Sequence, residues 1–282
     1  MEPKKSALLL SVCLLTGCGR TPEPAAPLPV PVPAALSAAA LTDAAADMLM
    51  RTETALTVSV PQTLSGSAGD CIPAARERSV LCGTMLQTLC WERSGRLLTV
   101  KAVYAEQPET VREKKRQISR YAAEWAKTAL PYPPTVRVLL AHERLCGSCT
   151  YSETAPDCGS AYGALIGGTA RCSGYAEGFA LLLEKADVPV RIVTGTAADH
   201  GAASAHAWNL VRLDGCWYHI DCTWDSAAAD GDSHAYFLCG DSFMRQTHTW
   251  DAGAYPAAEG SALRYETVMQ EMRDAVMPSG GI

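Results

Sequence analysis

The chain has 282 residues, 48% of them hydrophobic, enough for one large or two small domains around a buried core. Its net charge of −6 is mild and spread along the chain, with no extended basic tract. Nucleic-acid binding therefore has no electrostatic footing.

At the N-terminus, Lys4 and Lys5 precede an apolar run over residues 7–15. The run is too short to span a bilayer but has the length of a signal-peptide core. It ends Leu15-Thr16-Gly17-Cys18, which resembles the lipobox of bacterial lipoproteins. That resemblance implies cleavage before Cys18, lipidation of Cys18, and a mature protein anchored in the membrane on its outer, extracytoplasmic face. An ordinary secretory signal with a chance cysteine is the plainer alternative. Loss of residues 1–17 leaves 22 basic and 29 acidic residues, a net charge of −7. No later segment reads as transmembrane.

Residues 18–40 are rich in proline and predict an extended tether. Residues 41–105 predict a small, β-rich accessory region, with strands over 54–60 and 97–104. A helix comes next, with Thr110 and Glu113 as a capping box and Val111, Ile118, Ala122 and Trp125 on one face. It should stop near Pro131-Tyr132-Pro133-Pro134. A second helix is expected over 135–145 and a third over 172–184, amphipathic through Tyr175, Phe179, Leu182 and Leu183. Residues 188–195 predict a strand and 197–204 a loop of small residues. The strands 207–213 and 216–223 flank Asp214-Gly215, a hairpin-turn dipeptide. A last helix is expected over 261–277. The resulting division is a signal peptide (1–17), the tether (18–40), the accessory region (41–105), a main domain (106–250) and a helical tail (251–282).

Three residues stand in contexts suited to chemistry. Cys172 is placed at the first turn of a helix, where unpaired backbone N–H groups and the helix dipole favour a thiolate. His206 precedes one hairpin strand and Asp221 falls near the end of the other. A slight stagger brings the two within side-chain reach. A cysteine, a base and a carboxylate that orients the base are the set nucleophilic catalysis needs. Taken singly, Cys172 reads as a small buried apolar residue, and His206 and Asp221 as satisfied polar groups; their joint occurrence argues otherwise.

The stretch from Ala161 to His248 resembles the transglutaminase-like domain of bacterial exported proteins. The matching segments begin with Ala161-Tyr162-Gly163-Ala164-Leu165 and Cys172-Ser173-Gly174-Tyr175-Ala176-Glu177-Gly178-Phe179. They continue with His206-Ala207-Trp208-Asn209-Leu210-Val211, with 215–225 and with Tyr236-Phe237-Leu238. The resemblance implies an α+β, papain-like core, in which a nucleophile heads a helix packed on an antiparallel sheet bearing His and Asp. It implies Cys172 as nucleophile, His206 as general base and then acid, and Asp221 as the orienting carboxylate. The implied reaction passes through a thioester at a protein or peptide amide of the envelope or the outside. Water or an amine then takes the acyl group, with hydrolysis slightly favoured over cross-linking. A binding or structural lipoprotein that keeps the fold without catalysis is the alternative.

The backbone N–H of Cys172 is the expected oxyanion donor. Tyr151 and Tyr162 are candidate side-chain donors that read better as packing residues. His219 and the tryptophans 208, 217 and 224 are expected to be structural, and His200 exposed. Calcium has no acidic loop of the required spacing, so neither metal nor other cofactor is expected. Apart from Cys13, Cys18 and Cys172, nine cysteines remain: Cys71, Cys82, Cys90, Cys146, Cys149, Cys158, Cys216, Cys222 and Cys239. Cys146-Gly147-Ser148-Cys149 is open to readings as half a zinc site or a redox pair, but lacks a partner pair; structural disulfides or buried thiols fit better.

Overall fold

The hydroxyl of Ser37 accepts a hydrogen bond from the Ala40 N–H and starts helix α1 (Ala38–Met50). The computed structural model describes residues 33–34, 37–64, 68–77, 85–198, 201–226, 234–260, 263 and 265–276. The signal segment with Lys4 and Lys5, Cys18, the tether up to residue 32, Cys82 and His200 lie outside them. Helix α1 thus begins inside the stretch expected to be tether. An alanine-rich segment with a serine cap has high helix propensity, and that outweighs the neighbouring prolines.

Strand β1 (Ala55–Ser59), helix α2 (Ala68–Glu77) and strands β2 (Leu86–Ser94) and β3 (Leu97–Tyr104) complete the region 38–104. The strands form an antiparallel sheet in the order β1-β3-β2. The expected strands over 54–60 and 97–104 correspond to β1 and β3. Leu41, Leu49, Leu98 and Val100 are buried in one cluster with Ile118, Leu139, Tyr175 and Phe179, which lie much further along the chain. The region expected as an accessory module therefore shares its core with the helices beyond residue 105, and Pro33–Ile282 form one compact unit.

Helix α3 (Pro108–Ala129) starts two residues before Thr110. Pro108 occupies the first helical position, where its missing N–H costs nothing, and the capping box does not form. Val111, Ile118 and Ala122 are buried as the periodicity predicts. Helix α4 (Pro134–Ser148) leads to the two-residue strand β4 (Thr150–Tyr151), which pairs in parallel with β5 (Thr169–Ala170). Between these strands, a π-helical turn over Gly163–Gly167 ends on Gly168, whose φ of +68° is readily available to glycine.

Helix α5 (Cys172–Lys185) is the central element, and its residues 174–183 are all buried. It packs on an antiparallel sheet ordered β8-β7-β6-β9, formed by β6 (Val190–Ala197), β7 (Ser204–Leu213), β8 (Cys216–Ile220) and β9 (His248–Thr249). The hairpin turns at Asp214-Gly215, with Leu213 paired to Cys216. Asn209 Nδ2 donates to the Ala176 carbonyl at 3.0 Å and ties β7 to α5. Strand alternation sends its neighbours Trp208 and Leu210 into a second cluster with Val193, Met244 and Trp250. The short helices α6 (Cys222–Ser226) and α7 (Asp241–Met244) come after β8, and α8 (Tyr265–Val276) packs on α4. The fold is α+β: mixed helices around an antiparallel sheet.

Candidate active site

The backbone prepares the first turn of α5 before any side chain acts. Arg171 at the N-cap is extended (φ −94°, ψ 179°) and provides no side-chain cap, so the first N–H groups of the helix stay available beside Cys172. Gly174 lies against the Cys158 carbonyl and the Ala170 side chain, closer than any Cβ would allow. This contact seats the turn on the 158–160 loop and fixes where the Cys172 thiol emerges, half-buried.

Three elements then converge. His206, on β7, donates through Nε2 to Asp221 Oδ2 at 2.6 Å. Its side chain also interacts with the Cys172 thiol, closely enough that each shifts the other's protonation. The three residues picked out in the sequence are thus brought together, with His206 bonded to Asp221 and interacting with Cys172. Their supports differ from expectation in one respect. Strand β8 ends at Ile220, which pairs with Asn209, so Asp221 is not a strand residue. Instead Asp221 Oδ1 accepts the backbone N–H groups of Thr223 (2.9 Å) and Trp224 (3.2 Å) and caps α6.

Sequence reasoning missed His248. Its Nε2 donates to the same Asp221 Oδ2 at 3.1 Å, and its Nδ1 pairs with Thr247 Oγ1 at 2.8 Å. Gly195 allows this, because a Cβ there would meet the Thr249 carbonyl of the adjacent strand β9. A lone histidine on a two-residue strand has no periodicity to mark it. The reactive ends of His206, Asp221 and His248 lie close enough to share a cation, but their hydrogen bonds already satisfy one another.

The surroundings set the protonation. Burial opposes a charge on His206, but the Asp221 carboxylate and the Cys172 thiol outweigh it and raise its pKa to about 9. Burial would raise Asp221, yet the two histidines hold it at about 2. Burial also works against a Cys172 thiolate. The hydrogen bond and charge of His206, with the N–H groups of Ala207 and Ser173, overcome it and lower the thiol pKa. The arrangement favours a thiolate–imidazolium pair over two neutral groups.

An aromatic wall surrounds the imidazole. Trp208 stacks on it at 5.9 Å between ring centroids, and Trp224 and His248 lie at 5.9 and 5.4 Å. Trp217 lies apart, under the guanidinium of Arg191. His219 is structural: Nδ1 accepts from Trp208 Nε1 at 2.9 Å and Nε2 donates to Asp241 Oδ1 at 2.8 Å. Of the two tyrosines, Tyr162 is bound to Gln117 at 3.3 Å. Tyr151 pairs in register with Ala170, two residues before Cys172. Burial first, then Glu153 and the negative charge of Cys172, push its hydroxyl to about 12, so it remains a neutral donor. The cysteines among the described residues are free thiols, and Cys149 does not pair with Cys146.

No curated protein matches the sequence. Among solved structures, the chain is similar to one described as a TGase, at 13% identity over 60% of this chain and 51% of that one, with a TM-score of 0.32. It is similar to the periplasmic domain of TgpA from Pseudomonas aeruginosa at 18% identity over 50% and 58%, with a TM-score of 0.34. A candidate cysteine protease from Cytophaga hutchinsonii gives 13% over 48% and 61%, with a TM-score of 0.31. The chain thus spans between about half and three fifths of the length of these proteins. Residues 113–222 match the family model of the transglutaminase-like superfamily. That segment runs from the first turns of α3 to the cap of α6 and includes Cys172, His206 and Asp221: the chain carries a transglutaminase-like domain.

Proposed function

We propose that this protein is a cysteine acyl-transfer enzyme acting on protein or peptide amides. The observation that carries the reading is the bond of His206 to the fully buried Asp221 at 2.6 Å, beside a Cys172 thiol whose pKa the same imidazole lowers. The Cys172 thiolate attacks the amide carbon, and the carbonyl oxygen gains negative charge facing the first N–H groups of α5. As the C–N bond breaks, the His206 imidazolium delivers its proton to the leaving nitrogen, and a thioester remains on Cys172. Neutral His206 then takes a proton from water or from an acceptor amine as that nucleophile attacks the thioester, and the thiolate is regenerated. Asp221 holds the imidazole in position and stabilises its charged form.

The triad chemistry is shared by hydrolysis and amine transfer; hydrolysis is the reading we favour. We further place the enzyme at the outer face of a membrane, held by lipid on Cys18 and lifted by the adjoining proline-rich segment. The lipobox-like Leu15-Thr16-Gly17-Cys18 supports this. No helix among the described residues is long and apolar enough to cross a membrane.

The deciding experiment incubates the full chain with a glutamine-containing peptide and a labelled primary amine. Ammonia or new peptide termini without incorporation of the amine mark a hydrolase, and incorporation of the amine, which also releases ammonia, marks a transferase. Activity of either kind that survives Cys172→Ala overturns the proposal and favours a binding protein. Radiolabelled fatty acid should enter the wild type and not Cys18→Ala.

A further inference from the structure

Away from the candidate triad, α4 and the first residue of α6 bring a second set of side chains together. His142 and Cys146 stand four residues apart on α4 and so share one helix face. Cys222 opens α6 and points toward them. The ligand atoms of the three residues all lie within 4.8 Å of one another. His142 and Cys222 are only 1% and 3% exposed, and Cys146 is half-buried. Read along the chain, Cys146 and Cys149 look like the pair. The fold joins Cys146 to His142 and Cys222 instead.

Two observations indicate what this set is for. His142 Nε2 lies 3.6 Å from Cys146 Sγ. A tetrahedral zinc ion, with bonds of about 2.0 Å to nitrogen and about 2.3 Å to sulfur, requires an N···S edge of about 3.5 Å, close to the one present. The second observation is the other ring nitrogen. His142 Nδ1 is buried with no hydrogen-bond partner among the described residues, and Glu143 Oε1 is 3.7 Å away, too far to bond. A metal on Nε2 places the imidazole proton on Nδ1, facing a carboxylate of the kind that supports metal-bound histidines. The orphaned nitrogen then has a role.

We propose that His142, Cys146 and Cys222 form a site for a divalent transition metal ion that fastens α4 to the start of α6. Two thiolates and an imidazole select zinc over magnesium or calcium. Asp225 Oδ2, now 2.9 Å from His142 Nε2, lies on the same short helix and supplies the fourth ligand or orients a water there. Loading releases one proton from each thiol and moves the imidazole proton from Nε2 to Nδ1. Because α6 is the helix that Asp221 caps, the ion would fix the carboxylate end of the triad from behind. This departs from the expectation that the chain holds no metal.

The test uses the full chain carrying Cys172→Ser, reduced and in detergent, titrated first with Co²⁺ and then with Zn²⁺. The expected result is thiolate-to-cobalt charge-transfer absorption with the visible bands of tetrahedral cobalt, saturating at about one ion per chain and displaced by zinc. Zinc should also raise the melting temperature. Cys146→Ser and His142→Ala should abolish the absorption and the zinc-dependent rise, and Cys90→Ser, at an exposed position on β2, should keep both. Cys146→Ser is the decisive variant if Cys222→Ser fails to fold, since Cys146 is the less buried thiol. Absence of the absorption in reduced protein, or its survival in Cys146→Ser, overturns the proposal. So does a Cys146–Cys222 disulfide whose reduction yields no metal uptake. Since Cys172 is absent throughout, the result is independent of whether Cys172 is the nucleophile.

Discussion

Asp221 Oδ2 accepts hydrogen bonds from two histidines at once, His206 at 2.6 Å and His248 at 3.1 Å. The second bond holds the carboxylate independently of His206. His248→Gln should therefore keep the fold and the reactivity of Cys172 but lower kcat about tenfold, with KM little changed. Steady-state kinetics of the variant beside the wild type decides it.

Cys172 should be alkylated by iodoacetamide well below pH 9, where an ordinary thiol is mostly protonated. Removing the imidazole with His206→Ala should return the pH midpoint toward 9, and mass spectrometry of labelled peptides reads both. Turnover needs the His206 proton for the leaving nitrogen, so it should fall as pH rises through about 9. The same raised pKa has a consequence for stability. The His206 contribution is fully present below about 6.5 and is lost as pH rises through about 9.

Asp221→Ala removes the shared partner of two buried histidines and the cap of α6 together. A loss of about 3–5 kcal/mol is expected by urea denaturation. Asp221→Asn keeps one acceptor oxygen, which can serve the α6 cap or the histidines but not both, so it should lose less stability than the alanine variant but nearly as much activity.

Tyr151→Phe tests the side-chain oxyanion donor. If the hydroxyl serves the tetrahedral intermediate, kcat falls about 10²-fold while Cys172 alkylation is unchanged. A packing role predicts unchanged kcat.

Gly174→Ala forces a methyl group onto the Cys158 carbonyl and the Ala170 side chain. It should cost about 1–3 kcal/mol and slow Cys172 alkylation, because relief of the clash moves the first turn of α5.

Much of the site was legible before the fold. Cys172, His206 and Asp221 each sit in a segment with strong local signals, and the Asp214-Gly215 turn brings the last two close. What could not be read were groups whose importance is purely tertiary. His248 acts from a two-residue strand, and His142 with Cys222 meets Cys146 only because α4 packs on α6. The region 38–104 was half legible. Strands β1 and β3 carry β-branched runs, but α1 and α2 lie in low-contrast alanine-rich sequence. The start of α3 was misplaced because Pro108 at the first helical position is as good a beginning as the capping box two residues later.

The position of His248 also bears on where this molecule can be cut. The family match closes at residue 222, just after Asp221, so a fragment trimmed to it holds Cys172, His206 and Asp221. It loses Trp224, which with Thr223 donates to the cap oxygen, and His248, which holds the other carboxylate oxygen. It also loses the edge strand that pairs with β6 and the Trp250 ring against Trp208. The three named residues are thus a smaller thing than the unit that holds them. Any minimal version of this domain that keeps the site's supports must extend past Trp250.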